Sequence, residues 1–305
     1  MKTFDNHLVT VITVTRNRAG LLPRAIRSVL SQSYGKIDYV IIDGASDDNT
    51  EEVVRSFKDS RITYFRLAEN LNHPATYDFA FSKSKGKYIT FLDDDDEYLP
   101  HKIQKQISLL SSLSTDYGFV YCWMDYFDDQ TGLLIREWHP KVKGNAYFDQ
   151  IEKQSVGGTP TLFIRREAFS RVGGLNKTLK YVADWEFATR LSKYYLTDFV
   201  PEVLVHVHTN HGFERMQTKK ETPERVQALI EFHEYYLSEF TDGFEIYPKK
   251  KIPHLKALST LYFKSKNLNC GISNFLKFLK CRPKFKLVVR TLLKNLQVLF
   301  LNRAI

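Results

Sequence analysis

The chain has 305 residues with 43% hydrophobic and 26% charged side chains, a composition that argues against disordered, collagen-like and low-complexity fibrous proteins. Three cysteines scattered along the chain argue against a disulfide framework and a CxxC metal site, and they favour a reducing compartment. The net charge of +9 is unevenly spread, because residues 249–305 contain 14 Lys or Arg and no Asp or Glu, whereas the rest has 30 basic and 35 acidic side chains. An acidic body and a basic tail predict two different kinds of partner.

The first hundred residues alternate short apolar runs with helical patterns. The predicted strands are 8–15, 39–42, 62–65 and 88–92. The predicted helices are a segment from Leu22 to Leu30, a segment 49–57 that Asp48 and Glu51 open as a capping box, and a segment 74–84. Strands that alternate with helices predict an α/β fold with a parallel sheet, in which ligands bind beyond the carboxyl ends of the strands.

The rest of the chain is less regular at first and then helical. Strands are predicted at 119–122 and 161–164, and a helix at 184–194. From about residue 222 helical spacing dominates, with breaks predicted at 242–243 and at Pro283. No apolar run approaches the roughly 18 residues of a membrane-spanning helix, and no secretory signal is visible, so we expect a cytoplasmic protein.

Four consecutive carboxylates, Asp93 to Asp96, follow the predicted strand 88–92. Such a run is unfavourable unless a cation or solvent relieves it, and Mg²⁺ and Mn²⁺ prefer carboxylate oxygens. Alternate residues of a strand share a face, so Asp93 and Asp95 are predicted to point into one pocket. A solvated acidic turn is the alternative, and an EF-hand calcium loop fits poorly because its glycine and spacing are missing.

Polar residues also end the first two strands. Asp43 is either a turn and capping residue or an acceptor for the N–H of a nucleotide base. Thr15 and Asn17 are, taken alone, better explained as a helix cap than as ligand contacts. Three histidines, His206, His208 and His211, follow an apolar strand; a zinc site lacks partners with matching spacing, and a polar strand end is the alternative.

These pieces occur in one order, and the set resembles the inverting glycosyltransferases of family 2. The matching segments are 10–18 (TVITVTRNR), 28–34 (SVLSQSY), 41–50 (IIDGASDDNT), 92–100 (LDDDDEYLP), 163–169 (FIRREAF) and 172–175 (VGGL). The similarity covers roughly residues 8–212 and includes the DXD element within Asp93–Asp96. It implies the GT-A fold, a Rossmann-like mixed sheet flanked by helices. It also implies a catalytic domain over 1–215, with a nucleotide-sugar half to about 100 and an acceptor half from about 101, before a helical basic region at 216–305.

The resemblance also implies roles for single residues. Thr15 and Asp43 hold the nucleoside, Asp93 the ribose or diphosphate side, and Asp184 is the catalytic base that deprotonates the acceptor hydroxyl. The full donor-binding set is Thr15, Arg16, Asn17, Asp43, Asp93 and Asp94, and the metal ligands are Asp95 and His208. The metal is Mn²⁺ or Mg²⁺, and the enzyme is a hexosyl- or N-acetylhexosaminyltransferase. The donor is a nucleotide sugar, most simply a UDP-sugar, and the acceptor a glycan or lipid-linked sugar of a cell-surface polysaccharide.

The sequence departs from the family pattern at four places: Gly44 replaces a second Asp, Ala183 a Glu, Arg16 an aromatic residue, and Tyr77-Asp78 an Arg-Asn pair. Because Asp43, Asp93, Asp95 and Asp184 are present, an active enzyme is expected. The rivals are a catalytically silent nucleotide- or carbohydrate-binding protein of the same fold and a sugar nucleotidyltransferase, whose glycine-rich basic phosphate loop is not apparent.

The basic tail carries two apolar stripes at helical spacing. The first contains Ile272, Phe275, Leu276 and Leu279, and the second Phe285, Val289, Leu292, Leu296 and Leu299. Two interpretations stay open: the stripes pack on the catalytic body, or the region lies on the anionic inner face of a membrane as a peripheral protein does. No nucleic-acid partner is expected, because no nucleic-acid-binding motif accompanies the charge.

Overall fold

The computed structural model describes residues 6–71, 73–212 and 221–301. In this part of the chain the strands are β1 (Val9–Thr15), β2 (Ile37–Asp43), β3 (Ile62–Arg66), β4 (Tyr88–Phe91), β5 (Glu97–Tyr98), β6 (Tyr117–Asp128), β7 (Leu134–Trp138), β8 (Phe163–Arg165) and β9 (Leu196–Thr209). The helices are α1 (Leu22–Leu30), α2 (Thr50–Ser56), α3 (His73–Lys83), α4 (Lys102–Ser112), α5 (Tyr147–Gln150), α6 (Arg166–Val172), α7 (Ala183–Tyr194), α8 (Pro223–Glu239), α9 (Thr241–Ile246), α10 (Ile252–Lys264), α11 (Leu268–Lys280) and α12 (Phe285–Leu301).

The chain divides into two compact units. The first takes in the described residues of Met1–Ala146, Ser155–Lys177 and Phe187–Phe213, and the second those of Tyr147–Gln154, Thr178–Glu186 and Glu214–Ile305. Two short segments within 147–186 belong to the second unit, and the domain boundary at residue 215 stays a prediction.

The first unit is built on one mixed sheet. Its strands follow the order β3-β2-β1-β4-β8-β6-β9-β5, with β7 paired to β6. Strands β1 to β4 are parallel, as predicted, whereas β8 runs antiparallel to both β4 and β6. The alternation of β-branched strands and helices thus predicted the parallel half, and the expected mixed sheet flanked by helices with a helical C-terminal region is confirmed.

Burial on both faces explains why the central parallel strands β1, β2 and β4 are mostly apolar. Val9, Val11, Ile12 and Ile41 are 0% exposed, and Ile26 of α1 is also fully buried. Parallel strands covered on both sides show continuous apolar runs instead of alternation. The acidic residues of the predicted site follow the carboxyl ends of β2 and β4, at one edge of the sheet.

Strands β6 and β9 are longer than the sequence predicted, and β8 begins later than predicted. β6 and β9 have 12 and 14 residues and pair in parallel through several register shifts, whereas only 119–122 was predicted as a strand in the first of them. The strand predicted at 161–164 begins at Phe163, because Thr159–Thr161 forms a 3-10 turn. The helix break predicted at 242–243 is wrong: α8 ends at Glu239 and α9 runs through these residues.

The predicted capping box at Asp48 is also wrong. The residue at the N-cap of α2 is Asn49, which makes no side-chain cap hydrogen bond. Asp48 instead accepts hydrogen bonds from the backbone N–H of Thr50, at 3.1 Å, and of Ala19, at 3.0 Å. Its carboxylate therefore fastens the loop after β1 to the start of α2, a contact between segments that local spacing does not indicate.

The second unit is helical apart from loops. A cluster around Phe232, Tyr236, Phe240 and Phe244 forms one part of its core, and α10 packs against α8 in another. Within the described residues, none of the helices combines the length and the apolar character that crossing a bilayer requires.

Candidate active site

The polar ends of β1 and β2 lie side by side. The parallel register pairs Thr15 with Asp43, and both side chains are buried, at 2% and 0% exposed. The backbone N–H of Gly44 donates to the carbonyl of Thr15 at 2.9 Å, so the two strand ends remain joined beyond the sheet. The structure therefore brings together two residues that were predicted to hold a nucleoside.

Asp43 is held in one orientation by its own loop and by β3. Its Oδ1 accepts hydrogen bonds from Ser46 N at 2.8 Å and Ser46 Oγ at 2.6 Å, and its Oδ2 accepts one from Tyr64 Oη at 2.6 Å. Burial, and then the negative charge of Asp43, raise the pKa of Tyr64. Three donors on one buried carboxylate fix its position before any ligand binds.

Asn17 connects the loop after β1 with the loop after β2. Its backbone has φ = 53°, its N–H donates to Ser46 Oγ at 2.9 Å, and its Oδ1 accepts from the N–H of Asp47 at 2.7 Å. Its neighbour Arg16 is exposed. The structure thus gives Asn17 a clear role in shaping the loops around Asp43, and a direct contact of Asn17 or Arg16 with the donor stays a prediction.

Gly44, where the family pattern has a second Asp, sits in a crowded place. A Cβ atom at this position would lie 3.1 Å from Oδ1 of Asn70 and 3.7 Å from Cβ of Arg16. With the Asn70 amide turned so that its oxygen faces Arg16, it accepts a hydrogen bond from Arg16 Nη1 at 2.8 Å. Arg16 and Asn70 therefore occupy space that a larger residue at 44 would need.

The acidic run after β4 forms a cluster of oxygen ligands. One carboxylate oxygen from each of Asp93, Asp95 and Asp96 lies within 4.8 Å of the others. Asp95 and Asp96 are only 2% and 1% exposed, so they are not part of a solvated turn. Closely spaced carboxylates on a largely buried loop match the oxygen-rich donor set that Mg²⁺ and Mn²⁺ prefer. The residues present fit a divalent ion, and Asp93, Asp95 and Asp96 are the ones that would hold it.

Arg18 compensates part of this charge. Arg18 Nη1 lies 2.7 Å from Asp94 Oδ1 and 3.2 Å from Asp95 Oδ2. Burial raises the pKa of Asp94 to about 6, although the positive charge of Arg18 opposes this effect. Arg18 was not among the predicted site residues. It could have been found from its position at the end of segment 10–18, which resembles the family.

The predicted metal ligand His208 is engaged by two other carboxylates. Its Nδ1 lies 2.6 Å from Asp129 Oδ1 and its Nε2 3.3 Å from Glu97 Oε1, while its backbone N–H donates to Asp96 Oδ1 at 3.0 Å. His206 Nδ1 also lies 3.2 Å from Glu97, and hydrogen bonds from both imidazoles hold the pKa of Glu97 well below its usual range. His211 contacts the acidic run through its imidazole, with Nε2 3.0 Å from Asp95 Oδ2. A role of His208 as a ligand stays a prediction.

Arg24 and Asp129 extend this network and were not predicted. Arg24 Nη2 donates to the backbone carbonyl of Asp95 at 2.6 Å, and its Nη1 pairs with Asp129 at 3.0 Å. Although burial opposes it, the hydrogen bonds from Arg24 and His208 lower the pKa of Asp129. Asp129 follows β6, whose length was underestimated, and this is why sequence spacing did not connect it with the acidic run.

Asp184 lies in the second unit and has its own set of neighbours. It lies in the first turn of α7. The residue before this helix, Val182, has φ = +54°. Gln154 Nε2 donates to Asp184 Oδ2 at 3.3 Å, and the indole N–H of Trp185 donates to the carbonyl of Gln150 at 2.7 Å. Burial raises the pKa of Asp184, although hydrogen bonds from the Trp185 backbone and from Gln154 favour its ionised form. A carboxylate with a raised pKa is suited to accept a proton.

Comparison with known proteins places the chain in a family. The model of glycosyl transferase family 2 matches residues 10–173, more than half of the chain. The putative colanic acid biosynthesis glycosyl transferase WcaA of Escherichia coli (strain K12) is 34% identical over 244 residues, which make up 77% of this chain and 84% of that protein.

Two solved structures share the fold. The crystal structure of S. aureus TarS 1-349 in complex with UDP-GlcNAc superimposes with a TM-score of 0.63 at 14% identity, covering 88% of this chain and 90% of that one. The mannosyltransferase PcManGT from Pyrobaculum calidifontis in complex with GDP-Man and Mn2+ superimposes with a TM-score of 0.56 at 17% identity, covering 88% and 74%. The family match and the E. coli relative confirm the sequence-based assignment, and the chain belongs to glycosyltransferase family 2, with the GT-A fold.

Proposed function

We propose that this chain transfers a sugar from a UDP-sugar to a hydroxyl of a glycan or lipid-linked acceptor, with inversion at the anomeric carbon. The observation that carries the proposal is the cluster of Asp93, Asp95 and Asp96 oxygens beside the joined ends of β1 and β2. The TarS structure contains UDP-GlcNAc, and WcaA is named for colanic acid biosynthesis, which supports the choice of donor and of acceptor class.

The residues of the first unit bind the donor in this proposal. Asp43 accepts the imide N–H of the uracil. Three donors hold its carboxylate in position for this at the end of β2. Asp93, Asp95 and Asp96 hold Mn²⁺ or Mg²⁺. When bound, this ion neutralises negative charge on the diphosphate and so favours departure of the nucleotide.

Asp184 carries out the proton transfer. Its carboxylate takes the proton of the acceptor hydroxyl as that oxygen forms a bond to the anomeric carbon. The bond between the anomeric carbon and the diphosphate oxygen breaks with its electron pair going to UDP, and attack from the opposite face inverts the centre. The pKa of Asp184, raised by burial, strengthens it as a base compared with an exposed aspartate.

The test is a panel of nucleotide sugars scored by melting temperature with and without Mn²⁺ and by sugar transfer. We expect UDP-hexoses or UDP-N-acetylhexosamines to raise the melting temperature in the presence of Mn²⁺, and Asp95→Ala to abolish this shift. Asp125→Ala is the matched control, because Asp125 belongs to a second group of possible ligands in the same unit, with Glu137 and His139. An unchanged shift in Asp95→Ala removes the metal assignment, and wild-type protein that binds donors but never transfers sugar refutes the enzymatic function.

A further inference from the structure

Two uncharged polar side chains of the last helix, α12, face inward. Thr291 and Asn295 are 0% and 3% exposed. Asn295 Oδ1 accepts a hydrogen bond from Thr260 Oγ1 at 2.8 Å, and its Nδ2 donates to Ser259 Oγ at 2.9 Å. Buried amides need such partners. These bonds to α10 fix which face of α12 is covered.

The other side of α12 carries a row of apolar side chains in contact with solvent, which we call the outer apolar stripe. Its members, with their exposed fractions, are Phe285 (81%), Val289 (37%), Leu292 (43%), Leu293 (60%) and Leu296 (40%). Their spacing of three and four residues puts them on one face of the helix. A contiguous apolar row of this kind marks an interaction surface more often than a chance exposure.

A row of positive charge runs beside the outer apolar stripe. Lys286, Arg290 and Lys294 are spaced by four residues, and all three are exposed. Residues 249–305 contain no Asp or Glu, so no acidic residue along the helix can pair with them. On a helical wheel this basic row borders the stripe on the side away from Thr291 and Asn295. Long basic side chains in this position can extend toward phosphate groups while the apolar row is buried.

We propose that this face of α12 binds the surface of an anionic lipid bilayer. The outer apolar stripe enters the boundary between headgroups and acyl chains, and Lys286, Arg290 and Lys294 lie at the level of the lipid phosphates. Helix α11 adds a similar row, with Leu268, Ile272 and Leu276 at 46%, 52% and 52% exposed. The helix lies on the membrane and does not cross it. This agrees with the finding that none of the described helices is long and apolar enough to cross a bilayer.

Charge complementarity selects lipid as the partner over a second copy of this chain. A symmetric contact places the same patch of both subunits together, so two basic rows that contain no acidic residue would meet. Like charges brought together at an interface cost free energy. An anionic bilayer removes this conflict, because it supplies negative charge and an apolar interior to the same helix face.

The test is co-sedimentation of the full chain with vesicles of phosphatidylcholine alone or mixed with phosphatidylglycerol. We expect binding only to the phosphatidylglycerol vesicles, and weaker binding as salt is added. Reversal of the basic row, in Lys286→Glu/Arg290→Glu/Lys294→Glu, should lower affinity on the order of a hundredfold or more. The matched control reverses three exposed lysines of the first unit, Lys36, Lys85 and Lys143, and should retain binding although its net charge changes equally.

Phe285→Trp provides a readout that does not depend on a disruptive change, because this side chain is 81% exposed. Its fluorescence should shift to shorter wavelength with phosphatidylglycerol vesicles and be quenched by brominated acyl chains. Equal binding to both vesicle types, full binding by the reversed row, or tryptophan that stays in water overturns the proposal. So does a stable dimer that the Lys286, Arg290 and Lys294 changes dissociate. The measurements use no sugar donor, so failure here leaves the transfer proposal untouched.

Discussion

The two units bury polar groups in opposite ways. In the first unit, Asp94 and Asp95 are almost fully buried, and the cation Arg18 lies within hydrogen-bonding distance of both. In the second unit the buried pair is His233 and His254, whose Nδ1 atoms lie 3.0 Å apart, and burial lowers their pKa values to about 3 and about 4. These carboxylates of the first unit are thus buried beside a cation, whereas this histidine pair of the second unit is buried in its neutral form.

This difference indicates which buried groups are prepared for a ligand. A neutral, stacked histidine such as His254, which lies over Tyr236 and bonds to the carbonyl of Ile151, stabilises a core. A concentration of carboxylates has no comparable structural use, because each one costs desolvation free energy that a partner must offset. Asp184 is a carboxylate of the second unit whose pKa is raised by burial, and the largest expected effect concerns it.

Asp184→Asn should lower the rate of sugar transfer by about 10²- to 10⁴-fold while donor binding persists, because an amide cannot accept the acceptor proton. Transfer rates and donor affinity are both measured. Asp149→Asn, at a carboxylate of the same unit whose side chain is 49% exposed, is the control and should keep its activity. A variant of Asp184 with wild-type turnover would show that the base lies elsewhere.

The raised pKa of Asp184 also predicts the pH dependence of transfer. The base works only when ionised, so activity should fall as pH decreases through a pKa above the usual aspartate value of about 4. Gln154→Ala removes a hydrogen bond that favours the ionised form, and the acidic limb should then move to higher pH. An acidic limb that stays in place in this variant would contradict the assignment of the limb to Asp184.

Arg18→Ala should destabilise the first unit by about 2 to 3 kcal/mol, because it removes a cation that lies within hydrogen-bonding distance of two buried carboxylates; the arginine is partly exposed, which moderates the cost. Mn²⁺ should restore much of the lost melting temperature, and by more than it stabilises wild type. The control is Arg55→Ala, whose partner Glu51 is 43% exposed, with an expected cost below about 1 kcal/mol. Loss of stability that Mn²⁺ leaves unchanged would argue against an ion at this cluster.

The neutral histidine pair of the second unit predicts acid sensitivity. Both imidazoles have lower pKa values folded than the unfolded value of about 6.5, so the unfolded chain binds more protons and stability is lost as pH falls below about 6.5. Between about pH 7 and pH 5 the free energy of unfolding should drop by about 2 kcal/mol for each imidazole. His254→Gln should reduce this slope, whereas His101→Gln, at an exposed site, should not. Denaturant titrations at the two pH values measure it.

The sequence predicted the parts of the site that depend on strand ends. Thr15, Asp43 and Asp93 each follow an apolar run, and in a parallel sheet such ends share one edge. Arg18, Arg24 and Asp129 were not predicted, because their partners lie 76, 71 and 79 residues away or more. The contact between Asp129 and His208 also depends on the pairing of β6 with β9, which no local pattern encodes.

In the basic tail, too, the sequence predicted the helices but not which of their faces are covered. Helical spacing predicted α11 and α12, and their separation at Pro283 is confirmed. The two stripes are covered only in part, because Ile272 and Phe285 are 52% and 81% exposed whereas Phe275 and Leu279 are partly buried. Thr291 and Asn295 face inward instead, since Ser259 and Thr260 on α10 offer hydrogen bonds to this face. Periodicity identifies the faces of a helix, whereas the neighbouring helix decides which of them is covered.

The smallest expected effect concerns the positioning of Asp43. Tyr64→Phe removes the hydrogen bond to Asp43 Oδ2 and should cost about 1 kcal/mol of stability. If Asp43 reads the uracil, its looser carboxylate should also weaken UDP-sugar binding several-fold, which calorimetry with UDP measures. Tyr121→Phe is the matched control, because it removes a buried hydroxyl bond to the carbonyl of Val142 in the same unit. Equal stability losses with a donor-affinity loss confined to Tyr64→Phe assign Asp43 to the nucleotide; equal affinities in both variants would leave Asp43 a structural residue and limit ligand binding to the acidic run.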